Sequence, residues 1–258
     1  MNRPATRILR AGMATPGRAA LGTSIAGGAL SALSGAPHHL GHLFRGRFPT
    51  VAVTGMTGVG KTRLADRLAR RTTPEGSADV GSAVMENRTR RSAKGRGFRF
   101  RVVPGDNAAT RLGALDQVFH DEPVDGVIHV VAFGHATPRR TAGTSGTASA
   151  TREEQLAAEL EDWSITAHRI AAMAVRRGKP VWLVIAVTKT DLFADQIADA
   201  VEYYSPGSGS PFAAKLDELR SLAGGARLSI DVLPVTAEGD KKLIAALETR
   251  LAQLSGHV

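Results

Sequence analysis

From residue 48 onward, apolar and polar positions switch repeatedly between strand-like and helix-like spacing. Residues 48–54 (FPTVAVT) read as a short buried strand, and residues 63–70 (RLADRLAR) place Leu64, Ala65, Leu68 and Ala69 on one helix face. Residues 72–97 are polar, basic and without clear period, so they read mainly as loop, with a weak strand near 83–85. In residues 98–103, Phe98, Phe100 and Val102 alternate with Arg99, Arg101 and Val103, which predicts a strand with one wetter face near a sheet edge. Residues 126–133 (GVIHVVAF) form another buried strand. Leu156, Leu160, Trp163, Ala167, Ile170 and Ala174 then recur at steps of four and three, the spacing of a long helix that Gly178 and Pro180 stop. Residues 181–187 (VWLVIAV) are the most apolar strand. Helical segments follow at 195–203 and 212–222, separated by SPGSGSP. A strand at 228–235 and a helix at 241–254, with Leu243, Leu247, Leu251 and Leu254 inward, complete the pattern. Strand and helix in alternation predict an α/β protein with a mainly parallel central sheet and helices on both faces.

Composition divides the chain in two. The first 48 residues hold six arginines and no acid, out of a total net charge of +9. Residues 1–47 therefore read as a basic, acid-free arm, either disordered or in peripheral contact with a membrane or partner. Gly, Ser, Thr and His dilute residues 19–44 too much for a membrane span, and His38, His39 and His42 lack a carboxylate or Cys to complete a metal site. Residues 48–258 form the folded domain, interrupted by a low-complexity, mobile insertion near 137–151. A second basic concentration, residues 88–111, holds eight Lys or Arg against the single acid Asp106. Such charge permits nucleic-acid or membrane contact without requiring either. The absence of Cys excludes disulfides and thiol catalysis and suits the cytoplasm.

Two motifs carry chemistry. Residues 55–62 (GMTGVGKT) follow the first strand and open the first helix, and they satisfy every position of G-x-x-x-x-G-K-[ST]. Gly55, Gly58 and Gly60 let the backbone curl so that N–H groups from Met56, Thr57 and Val59 turn inward as an anion nest. Lys61 is spaced to reach the β- and γ-phosphates, and the Thr62 hydroxyl to ligate Mg²⁺. Residues 188–191 (TKTD) close the VWLVIAV strand at the edge where open α/β sheets bind ligands. Asp191 there can accept from both N1–H and the 2-amino group of guanine, a donor pair that adenine lacks. Lys189 can lay its stem over the base, and Thr188 stands beside it.

Together these motifs resemble the translation-factor-related P-loop GTPases, the class with Ras-like, septin-like and dynamin-like members, over about residues 48–256. The resemblance implies a three-layer P-loop NTPase fold and binding of GTP or GDP with Mg²⁺. Thr188 stands where many members have Asn, and Thr236-Ala237-Glu238 resembles the element whose backbone contacts the guanine oxygen. Thr89, between the first helix and the FRFRVV strand, is the candidate for the switch threonine on Mg²⁺.

One departure matters. The family's Asp-x-x-Gly element corresponds here to Val102-Val103-Pro104-Gly105, so its metal-supporting acid is a valine. Gly105 remains to offer its N–H to the γ-phosphate. Asp106 stands where Ras-like members have the glutamine that orients water; it either holds a water, repels the phosphate or caps the next turn. The expected function is thus a guanine-nucleotide switch that hydrolyses GTP slowly, with Lys61, Gly105 and Asp106 at the phosphate. The alternative is a hydrolysis-deficient pseudo-GTPase serving as a nucleotide-dependent interaction module. Either implies a protein partner or self-association in the GTP state, in the cytoplasm or peripherally at a membrane.

Overall fold

The computed structural model describes residues 48–71, 84–91, 97–105, 108–137, 150–224, 228–236 and 241–256. The readings of residues 1–47, of the 137–151 insertion apart from its two ends, and of Asp106 and Ala237 lie outside them.

Six strands form one sheet: β1 (Thr50–Thr54), β2 (Glu86–Arg91), β3 (Gly97–Val102), β4 (Gly126–Val131), β5 (Val181–Val187) and β6 (Leu228–Pro234), in the order β2-β3-β1-β4-β5-β6. All pairings are parallel except the antiparallel β2–β3. The helices are α1 (Lys61–Leu68), α2 (Ala108–Asp116), α3 (Arg152–Arg177), α4 (Ile197–Tyr204), α5 (Pro211–Leu222) and α6 (Lys241–Leu254). A π-helical turn, Gln117–Asp121, extends α2, and a 3₁₀ segment, Thr190–Gln196, precedes α4.

β1, β4 and β5 are buried on both faces, which is why they read as unbroken apolar runs. Their alternate side chains feed two cores. One is shared with α2, α3, α4 and α5 and holds Val127, Trp163, Leu183, Tyr204 and Phe212. The other lies under α1 and α6 and holds Val53, Leu64, Phe100, Ile128 and Leu247. This is the three-layer α/β arrangement that the alternation of elements predicts. In α6, Ile244 is buried with Leu247 and Leu251, while Leu243 is only half-buried.

Helix ends follow their local chemistry. Thr151 and Glu154 form a reciprocal capping box at the start of α3, and Gly178 ends that helix with φ 59°. Ser210 caps α5 by accepting from the Ala213 N–H at 2.9 Å, with Pro211 behind it.

Two elements were not foreseen. Residues 86–91 (ENRTRR), read as loop, form the edge strand β2, and so Thr89 sits within a strand rather than in a switch loop. Its alternating Glu86, Arg88 and Arg90 are half-buried because Arg88 pairs with Asp66 of α1 and Arg90 with Glu248 of α6. Helix α2 also carried no expectation, since AATRLGALD has little apolar periodicity.

The chain leaves β1 for β3 on one side, then crosses back to β4 on the other. That reversal opens a crevice at the carboxyl end of β1, the usual ligand position in such sheets.

Gly126 pairs with Trp182 across β4–β5, and a Cβ at residue 126 would overlap the indole. Gly126→Val should therefore lower stability by about 1–3 kcal/mol through overpacking, measured as a reduced denaturant midpoint at unchanged slope.

Candidate functional site

The crevice is occupied by the loop between β1 and α1. Gly55, Gly58 and Gly60 have φ of 128°, 82° and 92°, so the loop runs through left-handed backbone that L side chains rarely adopt. Space imposes a second constraint at two of them. A Cβ at Gly55 would collide with the Val130 carbonyl, and one at Gly58 with the Thr137 carbonyl. Gly60 has open space and is needed only for its backbone conformation at the start of α1.

Lys61, 8% exposed, donates to the carbonyls of Gly55 at 2.8 Å and Met56 at 2.7 Å. Its amine is thus held over the loop instead of in solvent. Gly105, at the end of the chain leaving β3, approaches from the other side. A Cβ on it would lie 2.5 Å from Lys61 Nζ and 2.8 Å from Thr57 N and Thr57 Oγ1. Thr62 follows in the first turn of α1, half-buried.

Residue 188 links this loop to the next motif. The Thr188 hydroxyl lies 2.7 Å from the Val59 carbonyl and 2.9 Å from that of Val131, so its one proton is shared between the loop and β4. Its own N–H donates to Val131 O at 2.8 Å. Lys189, at φ 58°, donates to His135 O at 2.8 Å and Thr137 Oγ1 at 2.5 Å, while the Thr137 N–H reaches Gly58 O at 3.1 Å. Burial pushes the Lys189 amine down, Arg63 adds to this, and Asp191 opposes it. Thr190 is buried, with its hydroxyl 3.5 Å from Val235 O, Thr236 is buried beside it, and Asp191 is exposed in the first turn of the 3₁₀ segment. The structure therefore brings 55–62, Gly105, 188–191 and Thr236 to one sheet edge.

It does not bring Thr89 to Thr62. Thr89 is exposed with Asn87 and Arg91 on the face opposite Glu86 and Arg88, the pair that turns toward α1.

Pattern reading did not single out several residues in this region. Glu159 of α3 is 1% exposed and accepts from the Ala132 N–H at 2.9 Å, from the Gly134 N–H and from the Tyr204 hydroxyl. It thereby holds the turn at Phe133 and Gly134, both at positive φ, which leads to His135 and Thr137. Burial pushes its carboxyl up against those donors. Asp162, one turn on, is also buried and meets Arg111 of α2 in an ion pair. The signal for Glu159 was present: it falls on the apolar stripe, between Leu156 and Leu160. His129, alone among the apolar residues of β4, bonds Thr54 Oγ1 at 3.0 Å and meets the Trp163 ring edge-on at 4.8 Å. Burial, then Arg111 and Lys61, lower its pKa to about 3, so it is neutral.

Among the described residues no cluster of three or more His, Cys, Asp or Glu could cage a metal. The donors present fit Mg²⁺ of the kind held mainly by phosphate oxygens and water, which takes few protein ligands, with the Thr62 hydroxyl as one. Among the described residues no helix is long and apolar enough to cross a membrane.

No family model matches the chain, and no curated protein matches it in sequence. Solved structures do. A GTP-binding protein from the hyperthermophilic archaeon Sulfolobus solfataricus, in complex with GDP, is similar at TM-score 0.47 and 15% identity over 81% of this chain. The match spans 53% of that protein, about half its length. A chain of the signal recognition particle receptor SRb-GTP/SRX complex from Chaetomium thermophilum is similar at TM-score 0.52 and 15% identity, over 81% of this chain and 99% of that one. The chain has a P-loop GTPase-like fold at low sequence identity.

Thr188→Val removes the one donor that joins loop and strand while keeping shape. It should cost about 1–3 kcal/mol, read by chemical denaturation, because the Val59 carbonyl loses its hydroxyl donor while Val131 keeps the Thr188 N–H. His129 makes a pH prediction. Its folded pKa lies below the unfolded value of 6.5, so the stability it contributes is complete above pH 6.5 and is lost as pH falls toward about 3. The slope is about 1.4 kcal/mol per pH unit for this group alone. Glu159 and Asp162, whose carboxyls are pushed up, act in the opposite sense. Stability of His129→Gln should therefore fall less steeply with acidification than that of the wild type, measured as denaturant midpoints between pH 6.5 and 4.

Proposed function

We propose that this protein binds GTP and GDP with Mg²⁺ and hydrolyses GTP slowly to GDP and phosphate as a conformational switch. The observation that carries the reading is the Thr188 hydroxyl on the Val59 carbonyl, because it joins the strand end that bears Lys189 and Asp191 to the glycine loop. In this reading the N–H groups of residues 56–60 and the amino end of α1 receive the phosphates. Lys61 leaves the Gly55 and Met56 carbonyls for the β- and γ-phosphate oxygens. Thr62 ligates Mg²⁺, which supplies charge neutralisation at those oxygens. Asp191 takes the two guanine donors, Lys189 lines the base, and Thr236 with Ala237 meets the guanine oxygen. Gly105, packed against Thr57 and Lys61, is displaced or reordered by a γ-phosphate, which gives the switch its mechanical element. Asp106 follows it and is the candidate for positioning the attacking water. The SRb-GTP/SRX complex supports a partner-binding role for such a domain, here a protein partner or a second copy. The basic arm at 1–47 suits peripheral contact with an anionic membrane or a partner, the charge of the chain leaves nucleic acid as a further partner class, and the compartment is the cytoplasm or the periphery of a membrane.

A second reading has its own observation. The position that would support the metal from β3 is the buried, apolar Val102, which favours a nucleotide-dependent interaction module without turnover.

Binding and phosphate release separate the two. The wild type should bind GTP in preference to ATP and release phosphate slowly. Lys61→Ala should weaken GTP binding by about 10–100-fold through loss of a charge-assisted contact. Asp191→Ala should cut the GTP-over-ATP preference by at least about 100-fold. Preference for ATP in the wild type would refute the guanine assignment. Tight binding with no phosphate release at high protein concentration would select the interaction module.

A further inference from the structure

Under the GTP and Mg²⁺ reading on which this inference rests, the metal needs negative charge from the protein. A Mg²⁺ ion that bridges phosphates usually takes one or two carboxylates from the protein. At the end of β3 there is none, since Val102 and Val103 are buried and apolar. The neighbouring strand supplies one at the same level. In the antiparallel β2–β3 ladder Glu86 stands directly opposite Val102, so the two side chains share a face. That face is the one toward α1, because Arg88, two residues along, pairs with Asp66 of α1.

The level along the sheet follows from element geometry. Arg88 and Asp66 are in contact, which ties β2 to α1 at this point. From Asp66 back to Thr62 is four helical residues, about 6 Å toward the phosphate loop. From Arg88 back to Glu86 is two strand residues, about 7 Å toward the same edge, because β2 runs antiparallel to β3. Glu86 and Thr62 therefore both lie on the phosphate-loop side of that contact, on facing elements. Arg88 also holds Glu86 directly, with Nη2 2.6 Å from Oε2, while its Nε takes Asp66. Asp66 is buried a turn deeper and committed to that arginine; the Glu86 side chain retains 27% exposure and a second oxygen.

We propose that Glu86 supplies the carboxylate of the Mg²⁺ site, from the edge strand β2, in place of the acid absent at residue 102. Arg88 acts as a positioning residue that fixes the Glu86 side chain. The acid has moved sideways across one strand pair rather than disappearing.

The test is the free Mg²⁺ dependence of nucleotide release, followed with a fluorescent GDP analogue on the full chain, with Mn²⁺ binding by electron paramagnetic resonance as the direct readout. Glu86→Gln should raise the half-saturating Mg²⁺ concentration about 10-fold, the size typical of losing a supporting carboxylate. Glu86→Gln combined with Val102→Asp should return it to the wild-type value. Val102→Asp alone should change it by less than about twofold, because the carboxylate is already present, the margin being set well inside that 10-fold effect. A Glu86→Gln half-point equal to wild type overturns the proposal. So does a gain of about 10-fold in Val102→Asp alone, a result that does not depend on Glu86→Gln folding. Wild-type release that ignores Mg²⁺ overturns the metal reading altogether, and failure to bind the GDP analogue overturns the nucleotide reading beneath it.

Discussion

The site depends on one packing constraint: the loop between β1 and α1 is pressed so tightly against β4 and its following turn that no side chain fits at Gly55 or Gly58. The carbonyls of Val130 and Thr137 fill the space a Cβ would need, and the carbonyl of Val59 is taken by Thr188. The loop is thus shaped by three later parts of the chain and not by local propensity alone. A run of left-handed glycines would otherwise be among the most mobile stretches of a protein, because each glycine loses the most freedom on folding. Tertiary contact bears that entropic cost before any ligand arrives. Preorganised N–H donors are what make an anion nest effective, since they need not be ordered at the moment of binding.

The same logic accounts for the buried charges beneath the site. An isolated carboxylate in the interior costs several kcal/mol unless donors surround it. Glu159 has three, two of them backbone N–H groups of the turn after β4. Satisfying Glu159 and fixing that turn are therefore one event. The turn in turn presents His135 O and Thr137 to Lys189, and the Thr137 N–H to the glycine loop. A single acid on α3 thus connects the 188–191 segment to the glycine loop. Trp163 and Phe212 enclose His129 nearby, and burial keeps it neutral, so it adds no positive charge near Lys61.

How much of this was legible follows from where each contact is encoded. The central strands and the long helix were readable because both faces, or one stripe, are apolar within a few residues. The glycine loop was readable because its chemistry lies in eight consecutive positions. β2 was not. ENRTRR has no apolar face, and its inward residues are arginines whose partners, Asp66 and Glu248, lie far away in sequence. Thr89 was misplaced for that reason: a strand stabilised by distant acids reads locally as a polar loop. Glu159 was missed because a charge on an apolar stripe looks like an exception to the pattern, whereas burial with donors made it part of the core.

The arginines between residues 88 and 111 show why charge counted along a chain overstates charge presented on a surface. Arg88, Arg90, Arg101 and Arg111 each pair with an acid from another element or from the same strand: Asp66 and Glu86, Glu248, Glu122, and Asp162. These four hold β2 to the helices of one face, β3 to the segment before β4, and α2 to α3. Arg91 and Arg99 are exposed and make no ion pair among the described residues. They lie two positions apart in register on β2 and β3, on the face opposite the Arg88 pairings. A basic stretch that suggested an anion-binding surface is, for half of its charges, internal scaffolding. Attraction to an anionic partner scales with the charges left over, since paired arginines present little net field at a Debye length of about 8 Å. The sheet edge of this protein is therefore less cationic than its sequence, and what Arg88 contributes there is a fixed position for the carboxylate of Glu86.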